Sequence, residues 1–344
     1  MDRKMHFMTY RLRITCYVAA TSLLLSLQSV VGNDDVAKKR CTATTAAELE
    51  AWQTESRRLL FDLLKLTDLV KQRGESATSL PFNVKLLSTS DHPGYTRQEI
   101  EFDSTPTRRI KAIVTIPTGA TGPAPAVICI HGHGGNRNIV YDRDSLYRGF
   151  ADELAAHGYV TISTDVGQHE VYEDGRSLMG ERLWDVLRCA DYVSTLKNVD
   201  PDRMGCGGLS LGGEMAMWLG AMDPRMKVTV SSGFLTTVKN LQNGHCMCWD
   251  FPGFTENFDF SDIYSLIAPR SLLCQIGAKE TAPGGFPPAL AYEAMASIQR
   301  AYAIDNVGHR ARLDVHPGGH IFVTADGRKF IDDILHPAKN ATGG

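Results

Sequence analysis

Residues 203–219 read RMGCGGLSLGGEMAMWL and contain the pattern GLSLG centred on Ser210. We predict a short apolar strand before this pattern and a helical run at 214–219 after it. Small residues on both sides of Ser210 permit the sharp, strained turn that exposes a serine hydroxyl at the N-terminus of a helix. The GxSxG pattern is weak evidence by itself, so its strand-turn-helix context carries the interpretation. We therefore expect Ser210 to be a nucleophile on a strand-to-helix elbow.

Strands and helices alternate on both sides of this elbow. The apolar runs at 126–130, 159–163, 228–230, 272–276 and 312–315 predict strands, and helices are predicted around 147–157 and 178–196. Such alternation indicates a mostly parallel sheet with right-handed crossovers. The continuous apolar run at 126–130 is typical of a central strand buried on both faces. The predicted fold class is α/β, with a mostly parallel central sheet flanked by helices.

The part of the chain before this sheet has a different character. Apolar residues recur at three- and four-residue steps through 45–73, which predicts one amphipathic helix ending near Gly74. Two β-rich stretches, at 84–87 and 110–116, follow it and are separated by the turn-forming residues 91–94. We expect an antiparallel meander at the edge of the sheet.

The first 32 residues have the layout of a secretory signal peptide. Basic residues precede an apolar stretch at 14–31, and cleavage is expected after Gly32. An uncleaved membrane anchor is the alternative, although polar residues dilute the stretch. We therefore predict a signal peptide (1–32), an N-terminal helical extension (33–82) and a catalytic domain (83–338). The predicted location is secreted or periplasmic, without stable membrane association after cleavage.

Composition excludes several classes of protein. With 344 residues, 43% of them hydrophobic and 22% charged, the chain can bury one large core and does not have the composition of a disordered protein. The net charge of −3 indicates no basic face, so no nucleic-acid partner is expected. The oligomeric state cannot be derived from these numbers.

The motif HGHGG at 131–135 follows the predicted central strand directly. Its glycines allow backbone N–H groups to approach a substrate oxygen. We expect the N–H groups of His133 and Gly134, together with that of Leu211, to form an oxyanion hole. The alternative is a glycine-rich turn in which His131 anchors the loop through hydrogen bonds.

The general base is expected in the late loop HPGGH at 316–320. His320 is the favoured base because the glycines let this loop reach over the sheet. His316 is the rival, since it ends a predicted strand and could instead stabilise the turn.

A carboxylate between nucleophile and base in chain order should orient the histidine. Glu280 follows the predicted strand at 272–276 and is the natural candidate. It could instead be a surface charge paired with Lys279, and the substitutes would then be Asp259, Asp262 and Asp314.

The eight cysteines suggest neither a disulfide scaffold nor a metal centre. No CxxC pair is present, and Cys129, Cys206 and Cys274 lie in apolar or glycine-rich surroundings typical of core residues. Cys246 and Cys248 are too close for an easy mutual bridge, and one intervening residue is poor spacing for two thiolates on one zinc ion. We expect no metal and no cofactor.

Four motifs in a fixed order carry a resemblance to a known family. HGHGG, GLSLGG, IAPRSLL at 267–273 and the late GGH resemble the α/β-hydrolase superfamily, and within it the dienelactone-hydrolase-like and acetyl-xylan-esterase-like branch. The likeness runs from about residue 84 to 335 and includes VDPDR at 199–203. Two departures stand out: Glu280 occupies a position that usually carries Asp, and dienelactone hydrolases use Cys where this chain has Ser210.

The resemblance implies a secreted serine carboxyl-ester hydrolase that works through a Ser210, His320 and Glu280 triad and an acyl-enzyme. Its substrate would be a small acyl ester or an acetylated polysaccharide. The aromatic segment 243–254, with Trp249, falls where such hydrolases insert a pocket wall, and His169, after the strand that ends near Asp165, would occupy the opposite rim. The predicted pocket residues are His131, His169 and Trp249. Two alternatives remain: an exported serine peptidase of the prolyl-oligopeptidase type, and a catalytically inactive glycan-binding pseudo-hydrolase.

Overall fold

A nine-stranded sheet organises the molecule. The computed structural model describes residues 40–119 and 122–336, so the predicted signal peptide lies outside the described residues. The strands are β1 (Lys85–His92), β2 (Tyr95–Asp103), β3 (Arg109–Pro117), β4 (Ala124–Ile130), β5 (Val160–Thr164), β6 (Val199–Leu209), β7 (Met226–Ser232), β8 (Ser271–Gly277) and β9 (Ala311–His316). Their order across the sheet is β1-β2-β3-β5-β4-β6-β7-β8-β9.

Helices precede, connect and follow the strands. They are α1 (Ala46–Leu63), α2 (Thr67–Arg73), α3 (Phe150–Ala156), α4 (Leu178–Ser194), α5 (Leu211–Met222), α6 (Val238–Leu241), α7 (Phe254–Asn257), α8 (Phe260–Ser265), α9 (Pro288–Ile304) and α10 (Thr324–Leu335), with 3₁₀ turns at Ile139–Tyr141, Met247–Trp249 and Gly308–Arg310. Among the described residues, no helix is long and apolar enough to cross a membrane.

The sheet is parallel from β5 to β9 and antiparallel from β1 to β5. This confirms the predicted mostly parallel central sheet flanked by helices. The chain passes from β4 to β5 on one side and then to β6 on the other, so the order reverses at β4. In open α/β sheets, ligands bind at the carboxyl ends of the strands beside such a reversal. We therefore expect a ligand-binding site at the loops that follow β4 and β6.

Two hydrophobic clusters cover the two faces of the sheet. Alternate residues of β4 point to opposite clusters, with Ile128 in the larger cluster and Val127 in the smaller one. The larger cluster includes residues of α4, α5, α8 and α9, and the smaller one is formed with α3 and α10. Because helices cover both faces, every residue of β4, β5 and β8 is buried. Cys129, Cys206 and Cys274 are fully buried, as predicted.

The N-terminal region differs from the expectation of one helix over 45–73. It forms α1 and α2, and the chain turns between them at Lys65, whose φ is 61°. Thr45 begins α1 with a capping box completed by Glu48. Two residues of α1 bind the part of the chain that forms the sheet and its helices. Gln53 donates to the carbonyl of Ala268 (2.8 Å), and Arg57 donates to that of Ala221 (2.7 Å).

The edge meander has three strands instead of the two expected. The middle strand β2 was missed because its sequence, YTRQEIEFD, is mostly polar and only partly buried. Its partners β1 and β3 lie on both sides of it in antiparallel register. Pairing between neighbouring strands, which a hydrophobic pattern does not report, makes this segment a strand.

Candidate active site

Ser210 lies at the junction of β6 and α5, in the strand-turn-helix setting that its motif predicts. Its backbone has φ 64° and ψ −126°, a conformation that is costly for a residue with a side chain. The Ser210 N–H donates to the carbonyl of Ser232 at the end of β7 (2.9 Å), and α5 begins at Leu211. The surrounding sheet thus holds Ser210 in a strained elbow.

Glycines make this elbow possible because the loop after β4 passes very close to it. A methyl group at Gly212 would lie 2.1 Å from the carbonyl oxygen of Ile130, and one at Gly132 would lie 2.9 Å from Cβ of Ser210. Neither position tolerates a side chain. The HGHGG loop is consequently in direct contact with the Ser210 elbow.

His320 and Glu280 form a pair at the ends of neighbouring strands. Nδ1 of His320, in the loop after β9, lies 3.0 Å from Oε2 of Glu280, in the loop after β8. The other carboxylate oxygen of Glu280 accepts from the N–H of Gly277 (3.3 Å), and the ring of Phe286 stacks on that of His320 with centroids 5.6 Å apart. The Glu280 side chain is 7% exposed and that of His320 is 33% exposed, so the carboxylate is shielded and the imidazole is accessible.

The end of β7 links this pair to Ser210. Ser232 accepts the backbone N–H of Ser210, and a methyl group at the next residue, Gly233, would lie 2.7 Å from Cε1 of His320. Ser210 is thus bonded to Ser232, and the imidazole of His320 lies against the adjacent Gly233. The predicted acid and base are therefore in direct contact, and the loop that carries His320 lies beside the end of β7, to which the Ser210 backbone is bonded.

The rival residues have other partners. Nδ1 of His316 accepts from the N–H of Gly318 (3.2 Å), and His316 is buried. Asp259 and Asp262 form a capping box at the start of α8, and Asp262 also binds Arg40 (2.6 Å). These contacts give His316, Asp259 and Asp262, three of the four rivals, structural roles.

The loop after β4 contains backbone N–H groups that have no acceptor among the described residues. Within the described part of the chain, the N–H groups of His133 and Gly134 have no hydrogen-bond partner. Two hydrogen bonds stabilise the loop: the N–H of Gly132 donates to the hydroxyl of Tyr147 (2.5 Å), and that of Gly135 donates to the carbonyl of Gly132 (3.2 Å). Leu211, the first residue of α5, adds an N–H that no helical carbonyl can accept. These are the three N–H groups that the sequence predicts for an oxyanion hole.

The predicted pocket roles of His131 and Trp249 do not agree with their positions. His131 is fully buried; its Nδ1 donates to the carbonyl of Gly132 (2.8 Å), and its Nε2 accepts from the N–H of Val166 (3.0 Å). Burial lowers its pKa, which keeps the ring neutral. His131 therefore anchors the loop, as the alternative interpretation held. Trp249 is 1% exposed and packs against Phe254 and Phe260, so it belongs to the core.

His169, the third predicted pocket residue, is exposed and belongs to a cluster that the sequence did not predict. His133, His169, Cys246 and Cys248 each offer one donor atom, and the four atoms lie within 4.8 Å of one another. Nε2 of His133 is 3.0 Å from Sγ of Cys248, and Sγ of Cys246 is 3.5 Å from Nε2 of His169. Spacing within 243–249 argued against a metal site, but the fold adds two histidines from other loops. These four residues are called the four-donor cluster below.

Comparison with known proteins places this site in a family context. A family model described as "Glucuronyl esterase, fungi" matches residues 102–234. YtaP of Bacillus subtilis (strain 168), named as a hydrolase, is 29% identical over 257 residues, which cover 66% of this chain and 81% of that protein.

Two solved structures are similar to this chain in fold. A glucuronoyl esterase from Solibacter usitatus superposes with a TM-score of 0.62 at 18% identity, covering 84% of this chain and 93% of that one. An acetyl xylan esterase from Paenibacillus sp. R4 superposes with a TM-score of 0.56 at 16% identity, covering 86% and 97%. The chain thus has the α/β-hydrolase fold. The family match and these structures agree with the serine carboxyl-ester hydrolase that the sequence resemblance predicts.

Proposed function

We propose that this chain is an exported carbohydrate esterase that cleaves its substrate through Ser210, His320 and Glu280. The observation that carries the proposal is the 3.0 Å contact between Nδ1 of His320 and Glu280, located beside the strained Ser210 elbow. A carboxylate on Nδ1 fixes the tautomer in which Nε2 is free to accept a proton.

In the proposed reaction, Oγ of Ser210 attacks the ester carbonyl carbon while Nε2 of His320 takes the hydroxyl proton. The carbonyl electron pair moves onto oxygen, where the N–H groups of His133, Gly134 and Leu211 stabilise the negative charge. Collapse of this intermediate breaks the ester bond, and the imidazolium returns its proton to the departing alcohol. Water then attacks the acyl-enzyme by the same steps and releases the acid.

Glu280 can do the work usually assigned to an aspartate here. Its carboxylate is shielded from water, and the N–H of Gly277 holds one oxygen while the other faces His320. A shielded carboxylate interacts more strongly with the imidazolium that forms during the reaction than an exposed one would. The longer Glu side chain is therefore compatible with the orienting role.

Two kinds of carbohydrate ester are supported by the comparisons. The likeness to an acetyl xylan esterase supports acetyl groups on a polysaccharide, in which the sugar is the alcohol. The match to the glucuronyl esterase family model supports an ester in which the sugar is the acid. We favour the acetyl ester and treat the uronic-acid ester as the second candidate.

Hydrolysis of three substrates by the purified chain tests the proposal: acetylated xylan, a glucuronic acid methyl ester and a peptide anilide. We expect acetate release to be fastest, peptide cleavage to be absent and Ser210→Ala to be inactive. Ser90→Ala, on the exposed edge strand β1, is the matched control and should behave like wild type. Preference for the methyl ester would select the second candidate, whereas cleavage of the anilide alone would favour the peptidase. A folded protein inert toward all three would support the pseudo-hydrolase.

Export is tested separately, because residues 1–32 lie outside the described structure. Expression with the native N-terminus in an exporting host should yield a processed protein that begins at Asn33. A cell-retained protein with an intact N-terminus would contradict export without bearing on the chemistry.

A further inference from the structure

We propose that the four-donor cluster, His133, His169, Cys246 and Cys248, binds one zinc ion. Tetrahedral zinc holds sulfur at about 2.3 Å and nitrogen at about 2.0 to 2.1 Å, which places neighbouring donor atoms roughly 3.3 to 3.8 Å apart. The donors here lie within 4.8 Å of one another, and two of the contacts between them are 3.0 and 3.5 Å. Small side-chain movements would therefore complete the coordination shell.

The ligands come from three loops at the carboxyl edge of the sheet. His133 follows β4, His169 follows β5, and both cysteines lie in the segment after β7 and α6. The strands on which the two histidine loops depend are completely buried and pack from both faces. The two histidine loops therefore begin at fixed positions, which favours a site that is formed before the ion binds.

A buried arginine donates hydrogen bonds to two of these loops. Arg182, on α4, is fully buried and donates to the carbonyl of Cys248 (3.2 Å) and to that of Gln168, the residue before His169. The guanidinium thus holds the backbone beside one cysteine and one histidine of the cluster at the same time. Outer groups that fix ligand-bearing segments in this way strengthen metal binding.

The charges of the donors fit a divalent soft cation. Two thiolates balance the two positive charges of zinc, and two imidazoles bind it in the neutral form. Sulfur and imidazole ligands select zinc over magnesium or calcium.

The cluster is expected to be structural and not catalytic. Four protein ligands fill a tetrahedral shell, which leaves no position for a substrate or an activated water. His133 would supply its ring to zinc, and its backbone N–H is one of those proposed for the oxyanion hole, so the ion would act as a positioning group for this loop. The adjacent Gly132 is already in contact with Ser210.

Metal content of the purified, reduced chain tests this proposal without reference to activity. After exposure to zinc and removal of the excess, mass spectrometry of the metal should find about one zinc per chain. We expect Cys246→Ser with Cys248→Ser to lower this content at least about 10-fold. Cys41→Ser, which changes a partly buried free cysteine outside the cluster, is the matched control and should keep the zinc. Cobalt substitution should give a thiolate charge-transfer band and tetrahedral ligand-field bands.

His169→Ala provides a second variant that does not depend on the cysteines. Because His169 is exposed, its removal should leave the circular dichroism and thermal unfolding of the apo-protein unchanged while weakening zinc binding at least about 10-fold. The proposal is overturned if the reduced, folded wild-type chain holds no more zinc than the double cysteine variant. It is also overturned if cobalt binds without thiolate bands, or if Cys246 and Cys248 join in a disulfide and bind no metal after reduction.

Discussion

The Ser210, His320 and Glu280 group and the four-donor cluster lie at the same edge of one sheet, yet only the first could be found in the sequence. Each member of the first group follows a strand in the expected chain order, and Ser210 and His320 lie within glycine-rich motifs. The four-donor cluster combines two histidines and a CxC pair from loops that are separated in the chain. Local motifs identify residues whose own backbone must be special, whereas a cluster assembled across loops requires only that the fold bring them together.

The largest effect that separates the two groups is expected from Ser210→Ala. Removing the nucleophile should lower ester hydrolysis by at least about 10⁴-fold, because the remaining residues provide only electrostatic stabilisation and binding. Zinc content should stay at the wild-type level, since Ser210 is not a ligand. Parallel measurement of turnover and metal content checks both statements. A loss of zinc in this variant would show that the two groups are not independent.

Glu280→Gln is expected to be the next largest change. The amide cannot stabilise the imidazolium and favours the wrong tautomer of His320, so kcat should fall by about 10³- to 10⁴-fold. Asp314→Asn, on the neighbouring strand β9, is the control and should retain activity close to wild type. The reverse result, with Asp314→Asn inactive and Glu280→Gln active, would assign the acid to β9.

Gly233→Ala tests the packing that links His320 to Ser210. The new methyl group would lie 2.7 Å from Cε1 of His320 at a residue whose φ is 64°, so the imidazole must move away from its place beside the elbow. A displacement of about 1 Å costs roughly 10²-fold in rate. Steady-state kinetics should show the loss in kcat. Gly319→Ala is the control, because a methyl group there meets nothing within 4 Å. Equal activity of the two variants would contradict the packing.

The last comparison concerns stability in place of turnover and involves Glu214, which lies one helical turn after Ser210. It is fully buried, and its Oε1 has no hydrogen-bond partner among the described residues. Burial raises its pKa to about 8, and the positive charge of Arg182 only partly opposes this. A raised carboxyl pKa contributes stability at low pH that is lost as the pH rises from the ordinary value of 4.5 through about 8.

Glu214→Gln should therefore remove this pH dependence and stabilise the protein at high pH by a few kcal/mol. The free energy of unfolding in urea, measured for both proteins at about pH 5 and about pH 9, checks this expectation. The two proteins should be similar at the lower pH and diverge at the higher one. If the free energies of unfolding of the two proteins differ by the same amount at both pH values, the pKa of Glu214 is not raised in the folded protein.

The elements that the sequence predicted best are those with a strong local pattern. The buried strands β4, β5 and β8 appear near the predicted positions because covering both faces requires a continuous apolar run. Segments whose structure depends on neighbours were missed or misread. The strand β2 is polar and forms by pairing with β1 and β3, and the single helix expected over 45–73 is divided at Lys65.

The candidate active site shows the same contrast between residues with a local sequence pattern and residues whose position depends on the rest of the fold. Ser210 was predictable because only small neighbours allow its backbone conformation, and these appear in the sequence as glycines. His131 and Trp249 were assigned to the pocket because they lie in motifs near the site, but side-chain direction decides burial, and both point into the protein. No local pattern reports the direction of a side chain within an irregular loop.

The sequence by itself determined the α/β class and the position of the elbow, because the first depends on hydrophobic periodicity and the second on local backbone chemistry. Only the tertiary structure decided that Glu280 reaches His320, that His131 is an anchor and that His133 and His169 meet Cys246 and Cys248. These outcomes depend on distances between loops far apart in the chain, which are fixed by the register and packing of the strands that carry them.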